Sequence, residues 1–310
     1  MQRHARARAG EIAMRKDIEF GAEGVTLRGW LYVPDGARKP APTVVMAHGF
    51  SGVKEDFLDR FAEVFCAAGV VAVAYDHRNF GASDGEPRQE IDPWQQIRDY
   101  RHAITWARMQ PEVDRERIGI WGTSYTGSHV LVVAALDRRV KCVVSQVPVM
   151  SGSVNVGRMV RSDLIPAMRA QFDADREARF LGKPPGMIAV ASPDPNVPCA
   201  LPTPDCWDWF VETQKRAPAW RNEVTLRSLE MLTEYEPGDY IARISPTPLL
   251  LIVAAHDRLA VADATLAAFN RALEPKKLVL IDGGHFDPYV NHFSRSSSAA
   301  RDWLLEHLTR

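Results

Sequence analysis

A chain of 310 residues, 46% of them hydrophobic and 25% charged, has enough apolar material for a sizeable core, which excludes disorder of the chain as a whole. With 38 Lys and Arg against 39 Asp and Glu the net charge is -1, so no global field holds a polyanion or a membrane surface, and nucleic acid is not an expected partner. No apolar run reaches the ~20 residues of a membrane span, and Arg3, Arg6, Arg8 and Arg15 are not followed by the apolar stretch of an export signal. Residues 1–16 are therefore expected to form a basic N-terminal arm of a cytoplasmic protein. Cys66, Cys142, Cys199 and Cys206 have neither the density of a disulfide framework nor a zinc spacing, and are expected to be reduced and mostly packed.

Short apolar runs alternating with amphipathic stretches predict an α/β fold with about eight mostly parallel strands flanked by helices. Strands are expected at Asp17 to Phe20, Val25 to Val33, Thr43 to Ala47, Val70 to Tyr75, Ile118 to Gly122, Val140 to Val144, Leu249 to Ala254 and Leu278 to Ile281. Gly21 to Gly24 is a hairpin signal between the first two. Phe57, Phe61, Val64, Phe65 and Ala68 mark the inner face of one helix, ended by Gly69. Asp92 and Pro93 open another, with Trp94, Ile97, Ile104 and Ala107 at helical spacing along its buried side.

After the sixth strand the alternation breaks. Val156 to Leu181 reads as helical, and seven prolines then fall between Pro184 and Pro204, a stretch that must be extended or turned. Residues 149–240 are expected to form a largely helical cap over the mouth of the sheet, inserted into a core made of 17–148 and 241–310. The cap aromatics Trp207, Trp209, Phe210 and Trp220 are too many for a solvated loop; some should pack on the core and others should wall a substrate pocket.

The sharpest chemical signal is Gly122-Thr123-Ser124-Tyr125-Thr126-Gly127, where an apolar strand runs into a helical stretch. A serine held on such a strained turn is exposed as a nucleophile, with the helix N-terminus beneath the developing oxyanion. Thr126 stands where G-x-S-x-G has its second glycine, and Gly127 follows one place later. A serine needs a base and the base needs an acid. His285 follows the last strand within Gly283-Gly284-His285-Phe286, and Asp257 follows the strand before it. Asp282 and Asp287 are rival acids, while His256 and His129 are expected at the surface or in packing. His48-Gly49-Phe50 after the third strand supplies the other half of an oxyanion site, with the N–H groups of Phe50 and Tyr125 as donors and His48 holding the loop. The glycine-rich stretch from Asp76 to Gly85 is expected to be a turn that shapes the site rather than a cofactor or metal loop.

Together, His-Gly-Phe at 48 to 50, Asp-x-Arg-x-x-Gly-x-Ser-x-Gly at 76 to 85, Gly-Thr-Ser-Tyr-Thr-Gly at 122 to 127, Asp257, and Gly-His at 284 to 285 resemble the serine α/β-hydrolases over residues 17 to 310. The elbow is similar to that of the Xaa-Pro dipeptidyl peptidase and cocaine esterase group. That group adds a C-terminal β-sandwich, whereas this chain stops just after the helix holding Trp303, Leu304 and Leu308; it also tends to place a tyrosine hydroxyl in the oxyanion loop, where this sequence has Phe50. The layout is closer to polyketide-associated hydrolases and acyltransferases and to small capped esterases. The resemblance implies ester or thioester cleavage through an acyl-enzyme on Ser124, with Asp257 and His285, a small acyl substrate, and no metal or organic cofactor. Acyl transfer, C–C bond hydrolysis and peptide cleavage use the same parts, and a noncatalytic receptor or an interaction scaffold is the reading of a different class. Oligomeric state is open, a homodimer included.

Overall fold

The computed structural model describes residues 14–36 and 40–309. Glu23 and Gly24, with φ of 43° and 85°, form the two-residue left-handed turn that matches the twist of an antiparallel pair. They join β1 (Met14–Ala22) to β2 (Val25–Val33). The expected basic arm lies mostly outside the described residues, at 1–13. Its end, from Met14 to Lys16, belongs to β1, and Arg15 lies 4.7 Å above the Trp30 ring, a cation–π partner that keeps it on the sheet.

The chain continues through β3 (Ala41–Ala47), α1 (Leu58–Ala67), β4 (Val71–Tyr75), α2 (Pro93–Arg108), β5 (Val113–Thr123), α3 (Tyr125–Leu136) and β6 (Val140–Gln146). The inserted segment then holds α4 (Gly152–Met159), α5 (Ile165–Phe180), β7 (Met187–Ile188), α6 (Pro204–Gln214), β8 (Val224–Thr225) and α7 (Leu226–Glu234). The core resumes with β9 (Leu249–Ala254), α8 (Ala262–Arg271), β10 (Lys276–Ile281) and α9 (Phe293–Leu308). Eight strands make one sheet in the order β1-β2-β4-β3-β5-β6-β9-β10, parallel from β4 onward and antiparallel at the β1–β2–β4 edge. β3, β4 and β9 are buried along their whole length, as expected of runs without alternation that are covered on both faces. Among the described residues, no helix is long and apolar enough to cross a membrane.

The helix signals act as the sequence suggests. Gly69 ends the α1 turn with φ of 87°, and the Asp92 carboxylate accepts from Gln95 N at 3.0 Å with Pro93 in the first turn of α2. Trp94 departs from the expected pattern. It is 44% exposed, its ring edge-on to Tyr235 and Tyr240 of the inserted segment. The helical stretch expected from Val156 to Leu181 is two helices, α4 and α5. The break falls at Val160 and Arg161, whose ψ angles of 128° and 135° are extended, and Pro166 sits in the first turn of α5, where its missing N–H costs no helical bond. The Pro-rich stretch beyond α5 is irregular apart from the β7 and β8 pair and a bridge between Ala189 and Cys199.

Candidate active site

At the end of β5 the backbone turns sharply. Ser124 has φ of 54° and ψ of -123°, a conformation that costs a non-glycine residue ~1–3 kcal/mol and persists where the surroundings impose it. Three contacts impose it here. Ser124 N–H donates to Gln146 O at 2.8 Å. A Cβ on Gly122 would fall 2.3 Å from Thr126 O, and one on Gly127 would fall 2.7 Å from Gln146 O, so both positions admit only glycine. Gly127 thus replaces the second elbow glycine by bringing α3 against β6. That leaves Thr126 a different role, in which its hydroxyl donates to His48 O and accepts from His77 Nε2 at 2.7 Å.

The three residues expected to act together do meet. Asp257 Oδ2 accepts from His285 Nδ1 at 2.7 Å, which leaves the Nε2 lone pair facing the Ser124 hydroxyl at 3.0 Å. Asp257 and His285 are buried, while Ser124 is half-buried. The rival acids lie elsewhere. Asp282 is exposed and 3.1 Å from the exposed His256, and Asp287 turns back to accept from Gly284 N at 2.6 Å and from Asn291 Nδ2 at 2.5 Å. Asp287 therefore shapes the histidine loop without reaching the ring. His129 is buried between Tyr235 OH and Gln96 Oε1, each at 3.0 Å, and burial holds it neutral.

The 48–52 loop packs directly on the serine, since a Cβ on Gly49 would meet Ser124 Cβ at 2.6 Å. His48 holds it: Nδ1 accepts from Gly49 N–H at 2.8 Å, and Nε2 donates to Asp56 O at 2.8 Å. Burial pushes the His48 pKa down to about 4, so the ring stays neutral with its proton on Nε2. The amides of Phe50 and Tyr125 have no acceptor among the described residues, and their rings meet edge-on at 5.7 Å. The 76–85 segment is a turn, in agreement with the sequence. Asp76, fully buried, accepts from Lys54 N at 2.7 Å, Lys54 Nζ at 2.7 Å and Ala82 N at 2.9 Å, tying this turn to the end of the 48–54 loop. Sequence reasoning did not single out Lys54 or the Thr126 hydroxyl. The signal for Thr126 was the departure from G-x-S-x-G itself.

The aromatics expected in the cap pack in stacks. Trp209 lies against Phe57, Phe286 and Tyr289 with ring centroids at 5.1, 4.7 and 4.9 Å. Phe210 stacks on Trp220 at 4.5 Å, and Trp220 Nε1 donates to Ser51 Oγ at 3.3 Å, one residue beyond the Phe50 amide. Trp207 is half-buried against the core. None of the four lines the cavity of about 310 Å³ inside the inserted segment, whose walls include Met159, Leu164, Met168, Phe172, Ile188 and Leu229. The four cysteines are free; Cys66, Cys142 and Cys206 are buried and Cys199 is half-buried. Among the described residues, no group of three or more His, Cys, Asp or Glu side chains is placed to hold a metal ion.

A model of the X-Pro dipeptidyl-peptidase (S15) family matches residues 23–287. The chain belongs to this family. It is thus an enzyme of the serine-hydrolase kind on an α/β-hydrolase fold. Among its relatives, a thiohydrolase of Eupenicillium brefeldianum is 34% identical over 283 residues, which cover 89% of each chain. A polyketide transferase of Stachybotrys chlorohalonatus is 32% identical over 288 residues, 89% of this chain and 91% of the relative. The crystal structure of the α/β hydrolase GrgF from Penicillium sp. sh18 superimposes with a TM-score of 0.82 at 27% identity, over 96% of this chain and 100% of that one.

Proposed function

We propose that this S15-family enzyme cleaves a carboxylic ester or thioester through an acyl-enzyme on Ser124. The observation that carries the reading is the hydrogen-bonded line from Asp257 through His285 to Ser124, placed beside two amides that lack acceptors. His285 Nε2 takes the Ser124 proton as Oγ attacks the acyl carbonyl, and the amides of Phe50 and Tyr125 receive the oxyanion. Collapse expels the alkoxide or thiolate, which takes the proton back from His285. Water, deprotonated by the same nitrogen, then releases the acid. Asp257 keeps the imidazole in the required tautomer and stabilises the imidazolium. Phe50 brings no hydroxyl to the oxyanion, which suits ester and thioester carbonyls with good leaving groups better than amides.

The acyl group is assigned to the cap cavity. Asn155 and Met159 lie one turn apart on the same face of α4; Asn155 reaches the loop after Asp257, and Met159 walls the cavity, so the cavity edge stands about one helical turn from the acid's loop. Most of its lining, including Met159, Leu164, Met168, Ile188 and Leu229, is apolar and suits a flexible acyl chain, with Arg161, Gln171 and Asn196 adding polar groups to the wall. The relatives named thiohydrolase and polyketide transferase support a thioester donor, and the second name favours one further outcome, release of the acyl group to a hydroxyl in place of water. The test is stoichiometric labelling by a fluorophosphonate, followed by turnover of matched ester, thioester and amide substrates with and without an added alcohol. One label per chain, lost in Ser124→Ala together with at least ~10³-fold of turnover, is expected. A folded Ser124→Ala protein with normal turnover overturns the reading.

A further inference from the structure

The acid of this site begins a loop with little main-chain support. His256 N–H donates to Gly283 O at 2.9 Å and Asp257 N–H to Ala254 O at 3.3 Å, but no main-chain hydrogen bond joins Arg258, Leu259 or Ala260 to another segment among the described residues. What orders them is the carboxylate. Asp257 Oδ1 accepts from Leu259 N at 2.9 Å and from Ala260 N at 2.8 Å, while Oδ2 serves His285. The direction of Oδ2 is therefore coupled to the placement of the Leu259 and Ala260 amides.

One side chain from the inserted segment fixes that placement. Asn155, on α4 and 2% exposed, donates through Nδ2 to the carbonyl of Leu259. The acceptor belongs to a buried residue, so without this donor it would be left unsatisfied. α4 is capped at its start, where Ser151 accepts from Val154 N, and is tied to the segment after α7 by Gly152 N, which donates to Tyr235 O at 2.8 Å. The exposed pair of Arg158 and Asp263, at 2.5 Å, joins the same helix to the start of α8, but such a pair contributes little.

We infer that Asn155 is a positioning residue for the reaction: through Leu259 it sets the orientation in which Asp257 meets His285, so that the cap takes part in aligning the acid. The inference rests on the proposed function of the triad. Its chemistry is a lever. Loss of the donor frees the Leu259 carbonyl, the peptide plane relaxes, and the two amides that hold Oδ1 move with it. A displacement of ~1 Å at a catalytic group costs up to ~10²-fold in rate. The other titratable groups facing Asp257 are Cys206 on α6 and Tyr289 beyond the histidine loop, both held neutral by burial.

The experiment compares Asn155→Ala, Asn155→Asp and Arg158→Ala with wild type, measuring fluorophosphonate labelling rate, kcat and KM on a short ester, the pH profile of kcat/KM, and Tm. Asn155→Ala should lose ~10- to 10²-fold in kcat with KM for a short ester unchanged. Its acidic limb should move to lower pH, because an imidazolium with a misplaced partner is less stabilised. Asn155→Asp, near in shape but unable to donate when ionised, should also lose kcat, with the limb moved to higher pH by the added negative charge. Arg158→Ala should leave both unchanged. A role in packing alone would lower Tm and leave the limb in place, and that result, or wild-type kcat in both Asn155 variants, overturns the inference. Should Asn155→Ala fail to fold, Asn155→Asp decides by kcat, because its added charge moves the limb in any case: a loss with KM unchanged is expected, and wild-type kcat overturns the inference. A wild-type chain that takes no label defeats the proposed function instead, whatever the Asn155 variants do.

Discussion

Replacing Gly49 by alanine tests the oxyanion site by a single methyl group. The new Cβ would lie 2.6 Å from Ser124 Cβ, 3.0 Å from Thr123 O and 3.1 Å from Ser124 Oγ. Carbon atoms sit comfortably at ~3.5–4.0 Å, so the loop and the serine must separate by about 1 Å. Neither side yields cheaply. Ser124 is held at a positive φ by its bond to Gln146 O, and the loop is pinned by His48 and by the Thr126 hydroxyl. The Phe50 amide then leaves the position at which the oxyanion develops, and removal of one such donor costs ~10²–10³ in kcat, or ~2.7–4 kcal/mol. Overpacking should cost ~1–3 kcal/mol of stability in addition. The assay is kcat and KM on a short p-nitrophenyl ester beside thermal unfolding, with Gly157→Ala as the control. Gly157 sits in α4 with nothing within 4 Å of its would-be Cβ, so that variant should gain ~0.5–1 kcal/mol of stability at unchanged kcat. A folded Gly49→Ala enzyme within about threefold of wild-type kcat would refute the assignment of this loop to the oxyanion, since the magnitude rests on the donor contribution.

For the acid, Asp257→Asn should lower kcat by ~10⁴-fold with the fold intact, whereas Asp282→Asn should leave it unchanged; a kinetic series in which Asp282 or Asp287 does the greater damage assigns the acid elsewhere. In the cap, Met168→Trp should fill the cavity and exclude about three methylenes at ~0.8 kcal/mol each, shifting the octanoyl-to-acetyl ratio of kcat/KM by about 10- to 10²-fold. Trp209→Ala should instead depress all chain lengths alike; an unchanged ratio in the first variant, or a reordered one in the second, contradicts the placement of the acyl chain. Burial pushes the Asp56 carboxyl up to about 7, so relative to the unfolded chain the folded state favours its protonated form, and that contribution to stability is lost as pH rises through about 7. Asp56→Asn should therefore gain stability over wild type by more at pH 8 than at pH 5, read from denaturant midpoints; an equal difference at both pH values would falsify the titration of Asp56.

The sequence was most legible where one residue type has one physical use. The Glu23-Gly24 turn, the Asp92 cap and the Gly69 stop each follow from local backbone chemistry, and the order of Ser124, Asp257 and His285 along the chain follows from three strands ending at one edge of the sheet. Strand ends were less legible. β5 begins at Val113, well before the apolar run at Ile118: Val113 pairs with Ala41, and the polar residues Asp114 to Arg117 form an irregularity between that pair and the pair of Thr43 with Ile118, which hides the strand's start from a hydrophobicity reading. Contacts between distant segments were not legible at all. Nothing local marks Asn155 as a partner of Leu259, or Lys54 as a partner of Asp76, because both links exist only once the insertion and the loops are stacked on the sheet. Trp94 misleads for a related reason: its helical spacing is that of a core residue, but the rings it meets, Tyr235 and Tyr240, belong to the insertion.

The Thr126 hydroxyl has a mechanical consequence. It is carried by α3, the helix whose first residue holds one of the two amides proposed to receive the oxyanion, and it grips the carbonyl of His48, two residues before the other. A tilt of α3, from thermal motion or from load transmitted by the cap, therefore drags the opposite loop along with it. The two donors ride on one carriage, and their spacing is insulated from displacements that would pull an untethered pair apart. Removing the hydroxyl, as in Thr126→Val, would leave each donor in place on average while allowing the two to fluctuate independently, converting a shared motion into a relative one.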